Sequence, residues 1–354
     1  MISAVCCCDH YLPITSAAAY SLTSLRIPRV ANELQHFPRY RRQRFCGRAL
    51  INRLTLIPGS TVIAPVRNMV ANFPEGVRSI PFTNLDVVFN WRDALKGVDV
   101  VVHSAARVHV MNDVSADPLT AFRKVNVDGT LNLARQSAAA GVRRFIYISS
   151  IKVNGEGATG GEAYTADDVP APIDPYGISK FEAEQGLKVL AADTGMEVVI
   201  IRPVLVYGPG VKANFLSMMR WLYRGVPLPF GAVHNQRSLV AIDNLVDLIV
   251  TCSDHPAAAN QVFLVSDGED VSTTQLLHKL AQALGTPARL LPIPVGLMSG
   301  VAALLGQQAL SDRILGSLQV DISKNRQLLG WTPPVTLDKA LSLTAQHFLD
   351  SRKS

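Results

Sequence analysis

The sequence predicts an α/β fold, a doubly wound parallel sheet with a smaller C-terminal domain. Three observations predict it. Short β-branched runs recur as far as Ile201, helical patterns with their own start and stop residues lie between them, and from about Tyr207 glycines and prolines break that rhythm. Strands alternating with helices place neighbouring strands in parallel and cover both faces of the sheet. At 354 residues and 48% hydrophobic residues, the chain is long enough for such a core and too apolar for a disordered one.

The strand runs are Ser60–Val66 (STVIAPV), Val98–His103 (VDVVVH), Arg144–Ser149 (RFIYIS) and Glu197–Ile201 (EVVII). Each is continuously apolar over its centre, as a strand buried on both faces must be. The clearest helix starts at Asp117-Pro118, a capping carboxylate followed by proline at the first helical position, and ends before Gly141. Beyond Tyr207, residues such as Gly208, Pro209, Gly210, Pro227 and Pro229 set loops and short helices, while Gln261–Ser266 reads as a strand returning to the sheet. The resulting division is an anomalous segment 1–45, a core 46–206, and a mainly substrate-binding domain 207–354 from which 238–266 return to the core. Leu290–Leu305 is the most apolar stretch, but it is short for a membrane span and holds Pro292 and Pro294. It predicts a buried helix or a docking surface. Met1–Cys8 lacks the basic start of a secretory signal, so a soluble cytoplasmic protein is expected.

The formal net charge of +6 is unevenly spread, because residues 1–48 hold seven arginines against Asp9 and Glu33. An arginine run such as Arg39–Arg48 suggests nucleic-acid binding when a basic stripe on the fold continues it. The rest of the chain is nearly balanced, so no nucleic-acid partner is expected. Cys6, Cys7, Cys8, Cys46 and Cys252 show no C-x2-C spacing, and no H-E-x-x-H occurs; no metal site is expected.

The informative pair is Tyr176 and Lys180 in Y-G-I-S-K. Residues four apart share a helix face, so the ammonium can approach the phenol and favour its phenolate as a general base. A tyrosine with a lysine four residues on is more often a solvated helix face, and the context decides. Ser149-Ser150 closes an apolar strand, at the edge of the sheet where ligands bind in α/β folds.

S-S-x-x-V-x-G from Ser149, Y-x-x-x-K from Tyr176 and R-P-x-x-V-Y-G-P (Arg202–Pro209) together resemble the extended short-chain dehydrogenase/reductases, the NAD-dependent epimerase/dehydratase family. His103-Ser104-Ala105-Ala106 and Asn126 in V-N-V-D-G-T match further motifs, and the resemblance runs from about Gly47 to the C-terminus. It implies a Rossmann-like fold, NAD or NADP as cofactor and a UDP-sugar substrate altered at C4 by hydride transfer, in surface polysaccharide synthesis. Epimerases and 4-ketoreductases share these motifs, so both remain open. The resemblance makes Ser150, Tyr176 and Lys180 catalytic. It places Gly47, Arg67, Ala105, Ala106, Asn126, Ser149 and Pro203 with Tyr176 and Lys180 at the cofactor, and Asn214, Phe215, Arg237 and Arg313 with Ser150 at the substrate. A homodimer through the Tyr176 helix is also implied.

One part of the pattern fails. The family opens with a strand running into T-G-x-x-G-x-x-G, whose glycines admit a pyrophosphate to a helix N-terminus. Here the last glycine alone survives, as Gly47, and the loop reads Tyr40-Arg41-Arg42-Gln43-Arg44-Phe45. Codons exist for Arg39–Phe45 that spell V-T-G-G-N-G when read one base on. The sequence therefore predicts a first strand and glycine loop corrupted by a shifted reading frame, and as the alternative to an active enzyme a cofactor-deficient relic. Arg67, after the second strand, favours a 2′-phosphate and hence NADP, and Asn84 replaces the family's Asp near the adenine.

Overall fold

The computed structural model describes residues 45–66, 73–82, 84–108, 117–157, 162–306, 311 and 314–353, with the backbone alone of 2–4 and 23–24. The strands in chain order are β1 (Ile2–Ala4), β2 (Thr23–Ser24), β3 (Val62–Val66), β4 (Val77–Pro81), β5 (Val100–His103), β6 (Arg144–Ile148), β7 (Glu197–Pro203), β8 (Leu205–Tyr207), β9 (Arg237–Ala241), β10 (Val262–Val265) and β11 (Asp270–Val271). The helices are α1 (Phe45–Thr55), α2 (Arg92–Leu95), α3 (Pro118–Arg123), α4 (Thr130–Ala139), α5 (Pro175–Thr194), α6 (Ala213–Tyr223), α7 (Ile242–Asp254), α8 (Thr273–Leu284), α9 (Val295–Leu304), α10 (Ser323–Leu329) and α11 (Leu337–Lys353).

Strands β10, β7, β6 and β5 pair in parallel in that order, and β3 pairs in parallel with β4. Alternate residues enter opposite cores. Val100, Val102, Ile146, Ile148, Val199 and Ile201 pack with α1 and α7, while Val101, Phe145, Tyr147, Val198 and Ile200 pack with α4 and α5. Period-two side chains covered on both faces explain the continuously apolar runs. A third core joins α6, α8 and α11 through Phe215, Leu277 and Leu341. The apolar pattern does not single out β4, β8 or β9: β4 is half exposed along its length, and β8 has just three residues.

Asp117 caps α3, its carboxylate accepting from the Thr120 amide at 3.1 Å, and a π-turn, Lys124–Gly129, carries the helix on into α4. Gly129 meets Leu85 here, and a Cβ at 129 would stand 2.5 Å from Leu85 Cγ. Glycine is what lets this helix approach the loop after β4.

Two expectations are modified. Leu290–Leu305 does contain a helix, α9, but none of its residues is buried, Val295, Met298, Ser299 and Ala302 being half-buried and the rest exposed, so the reading as a buried helix is wrong. Where a missing first strand was predicted, β1 and β2 form a short antiparallel pair that touches both β3 and β5. Among the described residues no hydrogen-bonded ladder joins β3 to β5. The segment Tyr40–Arg44 lies outside the described residues. No helix among the described residues is long and apolar enough to cross a membrane.

Candidate active site

The carboxyl ends of β5, β6 and β7 meet at one edge of the sheet, at His103, Ser149 and Pro203. After β6 the chain stays extended at Ser150, whose hydroxyl accepts from the Lys152 amide at 3.3 Å and caps the short turn Ile151–Val153. Helix α5 starts opposite. Asp174 caps it through the Gly177 amide at 2.6 Å, and Pro175 occupies the first position, which puts Tyr176 in the first turn and Lys180 one turn on. Gly177 lies so close to the Ser150 turn that a Cβ there would be 2.8 Å from the Lys152 carbonyl oxygen. That backbone approach packs the first turn of α5, which carries Tyr176, against the short turn that Ser150 caps. Lys152 also pairs with Asp174 and Glu156. Burial raises the Asp174 carboxyl, but Lys152 and the Gly177 amide outweigh it and hold the group below the usual range.

Lys180 is 1% exposed. Its ammonium donates to the Ile148 carbonyl at 2.8 Å and lies 4.5 Å from the Tyr147 ring centre and 6.0 Å from that of Tyr176. One turn further on, buried Glu184 receives two bonds from Arg202, at 2.6 and 3.0 Å, and one from Ser149 Oγ at 2.5 Å. Arg202 reaches Asn154 Oδ1 with its remaining nitrogen at 2.9 Å. Buried charges persist where every partner is present, and this set ties α5 to the ends of β6 and β7. Glu184 escaped sequence reasoning; its signal was its place four residues after Lys180 on the same face.

Asn126, inside the π-turn, accepts from the Arg107 amide at 2.7 Å and donates to the Arg107 carbonyl and to Ser179 Oγ at 3.0 and 2.9 Å. It holds the loop after β5 against α5. Ser104, Ala105 and Ala106 begin that loop and are buried. His103 Nε2 lies 2.9 Å from Thr130 Oγ1. Burial, and then the Lys180 charge, hold the His103 imidazole well below its ordinary value, so it is neutral. The unfolded chain takes a proton at this side chain below about pH 6.5 and the folded chain does not. Stability therefore falls with falling pH from that point, by up to about 1.4 kcal/mol per pH unit. Thermal unfolding at about pH 6.5 and about pH 5.5 should show a loss that His103→Gln reduces by about 2 °C; equal losses in both chains would remove His103 as its source.

On the substrate side, Asn214 is exposed in the first turn of α6, preceded by Ala213 in the left-handed region at φ 53°. Phe215 is buried and stacks on Tyr207 at 5.3 Å, so it anchors this segment instead of presenting a free face. Arg237 opens β9, half-buried, and donates to the Gly316 carbonyl at 3.0 Å. Asn235 and Thr273 both hold the Ile314 carbonyl, at 3.2 and 3.0 Å. Arg313 and Arg67 lie outside the described residues, and Asn84 is exposed.

The residues suit NAD(P) at one end. Small Ala105 and Ala106, the Pro203 ring and the Lys180 ammonium gather where the resemblance places the nicotinamide and its ribose. At the other end no glycine precedes Gly47, itself buried in α1, and Tyr40–Arg44 lie outside the described residues.

Over 308 residues the chain is 52% identical to UDP-glucose 4-epimerase of Vibrio cholerae, covering 87% of this chain and 93% of that protein. It is 29% identical to N-acetyl-alpha-D-glucosaminyl-diphospho-ditrans,octacis-undecaprenol 4-epimerase of Escherichia coli O157:H7, over 73% of this chain and 81% of the other. Among solved structures, MoeE5 in complex with UDP-glucuronic acid and NAD superimposes with a TM-score of 0.69 at 26% identity, covering 87% of this chain and 96% of that one. The model of the NAD dependent epimerase/dehydratase family matches residues 43–266, from just ahead of α1 to just past β10. With the strand-end serines, the Tyr176–Lys180 helix and the parallel sheet in place, the chain belongs to the NAD dependent epimerase/dehydratase family.

Proposed function

We propose that the chain acts in the cytoplasm as a nucleotide-sugar 4-epimerase. It changes C4 of a UDP-hexose or UDP-N-acetylhexosamine by hydride transfer with NAD, and its product enters surface polysaccharide synthesis. The observation that supports this is the Lys180 ammonium, held by the Ile148 carbonyl at the end of β6 and 6.0 Å from the ring centre of Tyr176 on the same helix. The 52% identity to a UDP-glucose 4-epimerase supports the substrate class. The undecaprenol-linked substrate named for the Escherichia coli relative supports the polysaccharide setting.

NAD supplies the hydride acceptor and donor when bound. Tyr176 takes the proton from the sugar's 4-hydroxyl as the C4 hydrogen departs, and returns it when the 4-keto sugar is reduced from the opposite face. Ser150 hydrogen-bonds the same oxygen. The Lys180 ammonium, fixed by the Ile148 carbonyl, stabilises negative charge on the Tyr176 oxygen while the proton is away. A homodimer through α5 belongs to this reading, and the exposed Val189 on that helix supports it.

A 4-ketoreductase needs just the second half of the cycle, and a relic performs neither half; the missing glycines favour the relic reading. One experiment separates the three. UDP-glucose and UDP-N-acetylglucosamine are each incubated with substoichiometric NAD, and the epimers are resolved chromatographically. Product in excess of NAD is the expected result. Turnover of a 4-keto sugar with one NAD(P)H consumed per product would make it a reductase, and no turnover in any arm would make it a relic.

A further inference from the structure

From Leu290 to Ser311 the sequence contains no charged residue. Within that run α9 is apolar on every side. Val295, Met298, Ser299 and Ala302 form a half-buried face, and the opposite side is open, with Leu297 60% and Leu304 88% exposed. A helix apolar all round is ordinarily enclosed by protein or by lipid. Its surroundings say which. The Leu228 amide donates to the Arg289 carbonyl at 2.9 Å and the Leu291 amide to the Leu228 carbonyl at 2.8 Å, laying the entry to α9 against the loop that follows α6. Arg289 lies over Gly225, its guanidinium 3.9 Å from where a Cβ at that residue would be, and Arg220 and Arg224 are exposed at the end of α6. Trp221 beside them is exposed as well; its ring, apolar with a polar edge, suits a water–lipid boundary. The stretches 211–242 and 271–311 contain no Asp or Glu, although Lys279 pairs with Glu269 and Asp338 from outside them.

We propose that the chain docks on an anionic membrane surface through α9 and the arginines beside it. The helix lies in the plane of the interface with its leucines among the acyl chains, while Arg220, Arg224 and Arg289 meet lipid phosphates. A second copy of the chain fits this surface worse. A two-fold contact centred on Arg220, Arg224 and Arg289 would oppose arginine with arginine. The proposal is independent of the reaction catalysed at the Tyr176 site.

Flotation of the full chain with phosphatidylcholine vesicles, with and without phosphatidylglycerol, tests it. Binding should be about a hundredfold stronger to the anionic vesicles, with three arginines contributing, and should weaken as salt is added. The double variant Leu297→Glu with Leu304→Glu should lose binding while keeping its melting temperature, since both side chains are exposed. Arg220→Gln with Arg224→Gln should lose most of the preference for anionic lipid. The N-terminal arginines are present in every variant, so a loss caused by the leucine pair belongs to α9. No binding to either vesicle overturns the proposal, as does equal binding by the leucine variant. A dimer seen by sedimentation velocity and abolished by the leucine pair, without vesicle binding, would assign α9 to a second copy instead.

Discussion

Tyr176→Phe should lower kcat about a thousandfold while leaving NADH affinity and melting temperature near those of the parent chain, measured with and without a repaired glycine loop. The hydroxyl is the one atom removed. The ring keeps its edge contact with Phe122, at 6.1 Å between centres, and the cap of α5 runs through Asp174 and the Gly177 amide, neither of which the change touches. Lys180→Met should behave differently. Its ammonium is the donor to the buried Ile148 carbonyl and lies against the Tyr147 ring, so its loss affects the ribose end and the proton-transfer end together. NADH affinity and kcat should therefore fall in the same variant. Steady-state kinetics paired with NADH fluorescence titration separates the two patterns. A Tyr176→Phe chain that keeps more than about a tenth of the parent turnover would strip Tyr176 of its acid/base role.

The parts of this site legible in the sequence are those whose chemistry demands fixed residue types at fixed local spacing. Tyr176 and Lys180 are one helical turn apart, and Ser150 follows a strand announced by its own apolar run. The strands β3, β5, β6 and β7 were legible because both faces are covered, which keeps the centre of each run apolar and leaves charged residues to its ends. What was not legible depends on distant partners. Glu184 belongs to no motif and Arg202 enters only as the start of R-P-x-x-V-Y-G-P, and tertiary packing alone brings the two together out of water. Phe215 resembles a substrate contact by its motif, yet its ring is stacked in the third core. For α9 the sequence leaves a buried helix and a docking surface both open, because an apolar helix reads the same whether protein covers it or lipid does.

Replacing Arg39–Cys46 with V-T-G-G-N-G-F-V behind a β-strand should raise NADH affinity about a hundredfold over the chain as written. The family match starts at residue 43, so the segment expected to carry the loop's first glycines falls outside it. Helix α1 itself is in place: Cys46, Gly47, Leu50, Ile51 and Leu54 are buried, and Phe45 packs against the same core. The repair therefore changes the approach to the helix, keeps Phe45, exchanges buried Cys46 for a valine of similar size, and leaves Gly47, Leu50, Ile51 and Leu54 in place. A pyrophosphate brought to bare backbone at a helix N-terminus gains charge-assisted hydrogen bonds of about 1.5–3 kcal/mol each. Two such bonds supply roughly the 3 kcal/mol that a hundredfold change requires. Titrating NADH and NADPH against both chains reads the gain and the phosphate preference together. If the two chains bind alike, the guanidinium groups of Arg41, Arg42 and Arg44 hold the pyrophosphate by charge where glycine would hold it by backbone, and the shifted-frame account of residues 1–45 is wrong.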